Sequence, residues 1–149
     1  MQQPKVPNFS AKNGFTTSVE RSSLMKKIRA NDTKNEILLR KALWSKGFRY
    51  RKNYHALPGK PDIVFLKKKI AIFIDGEFWH GFNWAIKKQK IKANRQYWIA
   101  KIERNIQRDL ENNIALKSAG FVVIRFWEHE IKVDAPSCMA KILVSLSGT

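Results

Sequence analysis

Pro61-Asp62-Ile63-Val64-Phe65-Leu66-Lys67-Lys68-Lys69-Ile70-Ala71-Ile72-Phe73-Ile74-Asp75-Gly76-Glu77-Phe78-Trp79-His80 sets two β-rich runs on either side of three lysines. A polar turn between two apolar runs predicts an antiparallel hairpin, with strands over Asp62 to Leu66 and Ile70 to Asp75. With the turn centred near Lys68 and Lys69, Asp62 and Asp75 fall roughly opposite each other. Directly opposed side chains have Cβ atoms about 5 Å apart. Two facing carboxylates repel, and a divalent cation is one way to hold them together. The competing reading is local: Asp62 follows a proline at a strand start and Asp75 precedes a turn glycine, both ordinary places for aspartate. A slipped register would also separate the pair.

Asp75, Glu77, Phe78, Trp79 and His80 crowd into six residues after the second strand. His80 exchanges a proton near neutral pH, as general acid–base work requires, although a lone histidine is as readily structural. Phe78 and Trp79 suit a core, but they follow a turn glycine and precede a polar stretch. That placement also suits an exposed wedge for stacked bases.

Outward from the hairpin, the elements alternate. Thr33 and Glu36 have capping-box spacing ahead of an apolar stripe of Leu38, Leu39, Ala42 and Leu43, and Gly47 ends that helix. A short helix is expected over Ser18 to Ala30 and a short strand over Phe48 to Arg51. Glu77 to Lys92 reads as a functional loop. The longest helix is expected from Asn94 to Ser118, carrying Ile99, Ile102, Ile106 and Leu110. A strand follows over Phe121 to Phe126, and Pro136 opens a last helix. The order predicts an α/β fold, a mixed central sheet flanked by helices. Residues 1–20 contain two prolines and little apolar periodicity, and read as a flexible basic N-terminal arm.

Lys and Arg total 29 against 12 Asp and Glu, a net charge of +17. A domain this basic repels itself unless it meets a polyanion, and nucleic acid is the usual one. Lys87, Lys88, Lys90 and Lys92 form a run that is either a solvated face or a track for phosphates. Lys101, Asn105 and Arg108 share one helical face and have the same two readings. The single cysteine, Cys138, excludes an internal disulfide and a multi-cysteine zinc site. With no apolar signal core or membrane-length segment, the chain reads as soluble and cytoplasmic.

Five blocks carry a resemblance. Pro58 to Asp62 (PGKPD) and Ile74 to His80 (IDGEFWH) resemble the signature of the very-short-patch-repair (Vsr) mismatch endonucleases. Arg21 to Glu36, Tyr97 to Asp109 and Gly120 to Ile131 agree in the same order. The resemblance implies a restriction-endonuclease-like PD-(D/E)XK fold over a single domain, residues 21–149. It also implies Mg²⁺-dependent nicking of double-stranded DNA at a T:G mismatch. Asp62 matches the family's metal-binding aspartate and His80 its catalytic histidine. Ile74 stands where the family binds metal, where a backbone carbonyl would serve, and Asp75 is an extra carboxylate near that metal. Glu36 matches an acidic residue linked to the active site, with its capping role as the alternative. Phe78 and Trp79 match intercalating aromatics. Met25 matches a residue that wedges from the opposite groove, with a core methionine as the alternative.

Two departures bear on the chemistry. Some members hold a structural zinc with cysteines and histidine around the Phe-Trp-His loop. Here Glu77 and His129 stand at two such positions with no cysteine near either, so no zinc is expected; whether the two instead form a charge pair across the same gap is left open by position alone. The usual PD-(D/E)XK lysine is replaced by Glu77, a gap that a proton-shuttling His80 would fill. Two other functions remain open on sequence: a restriction-type nuclease acting on an intact or modified site, and a DNA-binding module without catalysis.

Overall fold

Thr33 opens the first long helix because its Oγ1 accepts the Glu36 N–H at 3.3 Å, satisfying one of the donors a helix start leaves bare. The structure, a computed structural model, describes residues 5–18 and 33–148. After a single 3₁₀ turn at Ala11–Asn13, the described elements are α1 (Lys34–Ser45), β1 (Arg51–Lys52), β2 (Ile63–Phe65), β3 (Ile70–Asp75), α2 (Trp84–Lys90), α3 (Arg95–Ser118), β4 (Val122–Trp127) and α4 (Glu128–Ser147).

The four strands form one sheet in the order β1-β2-β3-β4. β1, β2 and β3 pair antiparallel, while β4 returns through α3 to lie parallel to β3. The sheet is therefore mixed and flanked by helices, as the alternation of elements predicts, and its architecture is α/β.

Strand alternation divides β3 between two layers. Ile70, Ile72 and Ile74 enter the larger core with Leu39 and Leu43 of α1, Phe126 of β4, and Ile131 and Ile142 of α4. Ala71 and Phe73 face the other way, against Leu116 of α3. Asp75 continues that second face past the end of the apolar layer, so a buried carboxylate emerges beside α3. α4 is two helical pieces joined at Asp134, whose backbone is non-helical. Asp134 accepts the Ser137 N–H and hydroxyl, so it caps a new helix from Ala135, one residue before the Pro136 start that the sequence expects.

The hairpin forms with a different register from the one expected. Phe65 pairs with Ile70 across a Leu66–Lys69 turn, and Ile63 pairs with Ile72. Continuing that register puts Asp62 opposite Phe73, two residues short of Asp75. A turn centred between Lys67 and Lys68 is the cause, with Lys69 in the left-handed region at φ 54°. The expected Phe48–Arg51 strand is displaced to Arg51–Lys52, because Phe48 and Tyr50 pack against the larger core instead. The expected loop from Glu77 to Lys92 contains helix α2. Residues 5–18, expected as part of a flexible arm, dock on α3 through Phe15, which is buried.

Candidate active site and nucleic-acid interface

The ends of β2 and β3 bring the chemistry together. Asp62, just before β2, turns its carboxylate back onto the sheet and accepts the Ile74 N–H at Oδ2, 2.7 Å away. Its carboxyl is pushed up to about 7 by burial, by the neighbouring Glu36 and by Asp75, against the pull of the Ile74 N–H and of His80. Glu36 is buried on α1 and pairs with Arg40 one turn on, at 3.4 Å. The cap and the site therefore use different parts of Glu36: its backbone N–H meets Thr33, and its carboxylate faces Asp62.

Asp75 has different company. Arg125, its diagonal neighbour on β4, donates from Nη1 to both of its oxygens at 3.1 Å. The same Nη1 lies 3.7 Å from Asp109 on α3, and the guanidinium stacks on Phe73 at 3.9 Å. His80 Nδ1 sits 2.6 Å from Asp109 Oδ2 and 3.7 Å from Asp75. Burial alone would lower the His80 pKa, but the Asp109 hydrogen bond and both carboxylates outweigh it and raise it. With Nδ1 committed to Asp109, Nε2 is the nitrogen left to exchange a proton. Burial raises the Asp75 carboxyl as well, although His80 and Arg125 pull it back.

One donor atom each from Asp75, His80 and Asp109 lie within 4.8 Å of one another, a spacing that admits a cation. Arg125 Nη1 already pairs with two members of that triangle, Asp75 and Asp109. Asp62 forms no ion pair with a lysine or arginine among the described residues, and its neighbours Glu36 and Asp75 are carboxylates. Oxygen donors without a lysine or arginine partner of their own are the chemistry that would suit a hard divalent cation at Asp62.

The turn after β3 packs the aromatics against α3. Asn105, expected on a phosphate-facing surface, instead donates to the Trp79 carbonyl at 2.9 Å. Gly81 has φ +74°, and a Cβ there would run into Ile106, so the turn lies flush on the helix. Phe78 is exposed and meets Trp79 and Trp98 with centroids 5.2 and 5.3 Å apart. Trp79 and Trp98 are 5.8 Å apart, completing a three-ring cluster. Glu77 Oε1 accepts the His129 backbone N–H at 2.7 Å and meets His129 Nδ1 at 2.8 Å, tying the turn to α4. These bonds outweigh burial and lower the Glu77 pKa. Phe82 packs edge-on against His129 and Trp127, closing the turn.

The basic residues divide. Lys88 pairs with Glu103 at 2.7 Å, and Lys87 leans over the Phe82 ring. Lys90, Lys92 and Arg108 are exposed and Lys101 is half-buried. Met25 lies outside the described residues.

Sequence reasoning missed Asp109, Arg125 and Trp98. Each sits inside a regular helix or strand, where period and apolarity dominate the pattern. The one available signal was that Arg125 is the lone charge in an otherwise apolar strand.

Comparison with known proteins decides what this site belongs to. Residues 14–86 match the family model for the DNA mismatch endonuclease Vsr. Over 126 residues the chain is 47% identical to the Type II nicking enzyme V.NmeDIP of Neisseria meningitidis serogroup C, spanning 85% of each chain. The chain belongs to the Vsr family. It is a DNA endonuclease with the family's restriction-endonuclease-like fold. It is also 50% identical over 116 residues to the Type II nicking enzyme V.HpaIIP of Haemophilus parainfluenzae, covering 77% of this chain and 82% of the other. Against the DNA mismatch endonuclease Vsr of Escherichia coli (strain K12) it is 34% identical over 109 residues, covering 72% and 69%. The Vsr model match ends before α3, so Trp98, Asp109 and Arg125 enter the site from beyond it. No helix among the described residues is long and apolar enough to cross a membrane.

Proposed function

We propose that this Vsr-family endonuclease nicks one strand of double-stranded DNA at a T:G mismatch, with Mg²⁺ held at Asp62. The observation that carries the reading is the adjacency of two things. A proton-exchanging His80 clamped by Asp109 lies one residue from an aromatic cluster that includes an exposed Phe78.

Asp62, with the Ile74 carbonyl and Asp75 nearby, would hold the cation. When bound, a divalent cation neutralises a phosphate and lowers the pKa of water at a scissile phosphodiester. The chain's own residues do the rest. Asp109 holds the His80 ring so that Nε2 takes or returns the proton at the reacting oxygen. Arg125 keeps Asp75 and Asp109 apart from each other's charge. Glu36 keeps the field at Asp62 negative, which favours cation binding. Phe78 and Trp79, backed by Trp98, enter the stack where a mismatched pair yields more cheaply than a matched one. Lys87, Lys88, Lys90, Lys92, Lys101 and Arg108 line the approach as phosphate contacts, the exposed ones most directly, and Met25 is assigned to the opposite groove.

The test is to incubate the protein with Mg²⁺ and end-labelled duplexes that differ only in a T:G pair, and to score each strand. A single-strand cut that needs both Mg²⁺ and the mismatch is expected. Equal cutting of both strands of the matched duplex would replace this reading with a restriction-type one.

A further inference from the structure

The aromatic cluster does not end at Trp98. Tyr97 packs on Trp98 at 5.0 Å, Phe9 on Tyr97 at 4.8 Å and on Trp98 at 6.5 Å, and Phe15 on Tyr97 at 5.4 Å. Phe9 and Phe15 stack on each other at 5.7 Å. A continuous run of rings therefore connects the N-terminal segment to Phe78 and Trp79. The segment is pinned at the same place by polar bonds. Thr16 N–H donates to Asn94 Oδ1 at 2.9 Å, and Asn94 Nδ2 donates to the Thr16 carbonyl at 2.5 Å. Asn94 is the cap residue just before α3, so this clasp sits one turn from Trp98. The segment also closes on itself: Phe15 N–H bonds Ser10 O at 3.1 Å and Asn13 Nδ2 bonds Asn8 O at 2.9 Å.

Phe15 is buried, yet it belongs to neither apolar core, and Phe9 remains 38% exposed. A segment whose purpose was stability would bury its rings in the sheet layers, where the gain in apolar burial offsets the cost of ordering the chain. Here the ordering is spent on two α3 aromatics beside the turn that carries His80. Tyr97 and Trp98 are consecutive on the helix, so they splay apart by about a third of a turn. Trp98 needs a neighbour on its far side to keep it against Phe78 and Trp79, and Tyr97 backed by Phe9 and Phe15 is that neighbour.

We propose that residues 5–18 form a positioning strap, in which Phe9 and Phe15 hold Tyr97 and Trp98 so that Trp98 buttresses the Phe78–Trp79 wedge. The strap rests on the wedge reading given under the proposed function. Phe9 also lies outside the part of the chain that matches the Vsr model, so this device extends beyond the matched core. Phe9 and Phe15 act through Trp98 and touch no reacting atom.

A double-mutant cycle tests it. Affinity for mismatched and matched duplexes is measured in chelator for the parent, Phe15→Ala, Trp98→Ala and the double variant, with melting curves on the same preparations. Loss of such ring contacts is expected to weaken mismatched binding about threefold to tenfold, and matched binding less. With Mg²⁺ the same variant should raise KM and leave kcat nearly unchanged. In the Trp98→Ala background Phe15→Ala should have no further effect, because its path to DNA is gone. Additive losses in the cycle overturn the proposal. If Phe15→Ala does not fold, Phe9→Ala decides instead: its ring is partly exposed, and unchanged mismatched affinity in that variant also overturns the strap. Trp79→Ala separates the two ideas. Selective loss on the mismatched duplex there, with a silent Phe15→Ala, removes the strap alone. Equal loss on both duplexes removes the wedge and the strap together.

Discussion

Asp62 and Asp75 are the same side chain, one just before β2 and one at the end of β3, and burial pushes both carboxyls up. Their surroundings then act in opposite senses. Around Asp75, Arg125 and His80 supply positive charge, and Asp109 shares both partners. Around Asp62, Glu36 and Asp75 add negative charge, and the chief relief is one backbone N–H. One side of the site is neutralised by the chain itself. The other has no lysine or arginine ion pair at Asp62 among the described residues, which is where the proposed cation would act. The difference shows that burial of a carboxylate does not reveal its role; the sign of what faces it does.

Replacing residues on each side should separate the two roles. Asp62→Ala is expected to abolish cleavage while DNA binding in chelator is largely kept, since little buried surface is lost. Mg²⁺-dependent cleavage surviving in that variant would remove Asp62 from the chemistry. On the self-neutralised side, His80→Ala should slow the single-turnover rate by about two to four orders of magnitude, the usual worth of a general acid–base group. An unchanged rate at saturating Mg²⁺ would leave the His80–Asp109 pair structural. Asp109→Asn keeps the shape but loses the charge that orients and supports the His80 ring. It should slow cleavage less than His80→Ala, by about tenfold to a hundredfold, as for comparable supporting carboxylates. A rate equal to the parent's would show that the 2.6 Å contact is not used in turnover.

The smallest effect concerns stability, and its sign is the informative part. The folded Asp62 carboxyl is raised to about 7 from an ordinary 3.8, so the folded state holds a proton that the unfolded state has released between those values. Stability therefore falls as pH rises through that window, and the penalty is complete above the folded value. Asp62→Asn has no charge to bury. In chelator it should melt a few degrees above the parent at pH 8, and the gap should close as the pH falls below about 4. Adding Mg²⁺ should narrow the gap at pH 8 by stabilising the parent alone. A parent that already melts higher than Asp62→Asn in chelator would mean that the chain neutralises Asp62 after all.

Much of this was legible in residue order. β3 lies where the apolar run places it, and α3 starts and ends within a residue of its expected limits, because long periodic segments carry their own signal. Glu77 and His129 meet as their positions suggest. The expected face-to-face pairing of Asp62 with Asp75 was not legible, since one shift in the turn moves every cross-strand partner. Nor was the pairing of Asn105 with Trp79: helical spacing groups Asn105 with Lys101 and Arg108 but says nothing about what lies opposite.

The sequence by itself determined the α/β alternation, the basic character that calls for a polyanion, and the two short motifs that carry Asp62 and His80. These are local or compositional properties, set by spacing within a few residues or by sums over the chain. Only the tertiary structure decided which carboxylate is paired with an arginine and which has only a backbone N–H. That depends on Arg125, 50 residues from Asp75, and on Asp109, 29 residues from His80. Charges that far apart in the chain act on one another only after the parallel β3–β4 pairing and the packing of α3 have brought them within hydrogen-bond reach. Electrostatic energy falls with distance in space, and distance in sequence carries no such information.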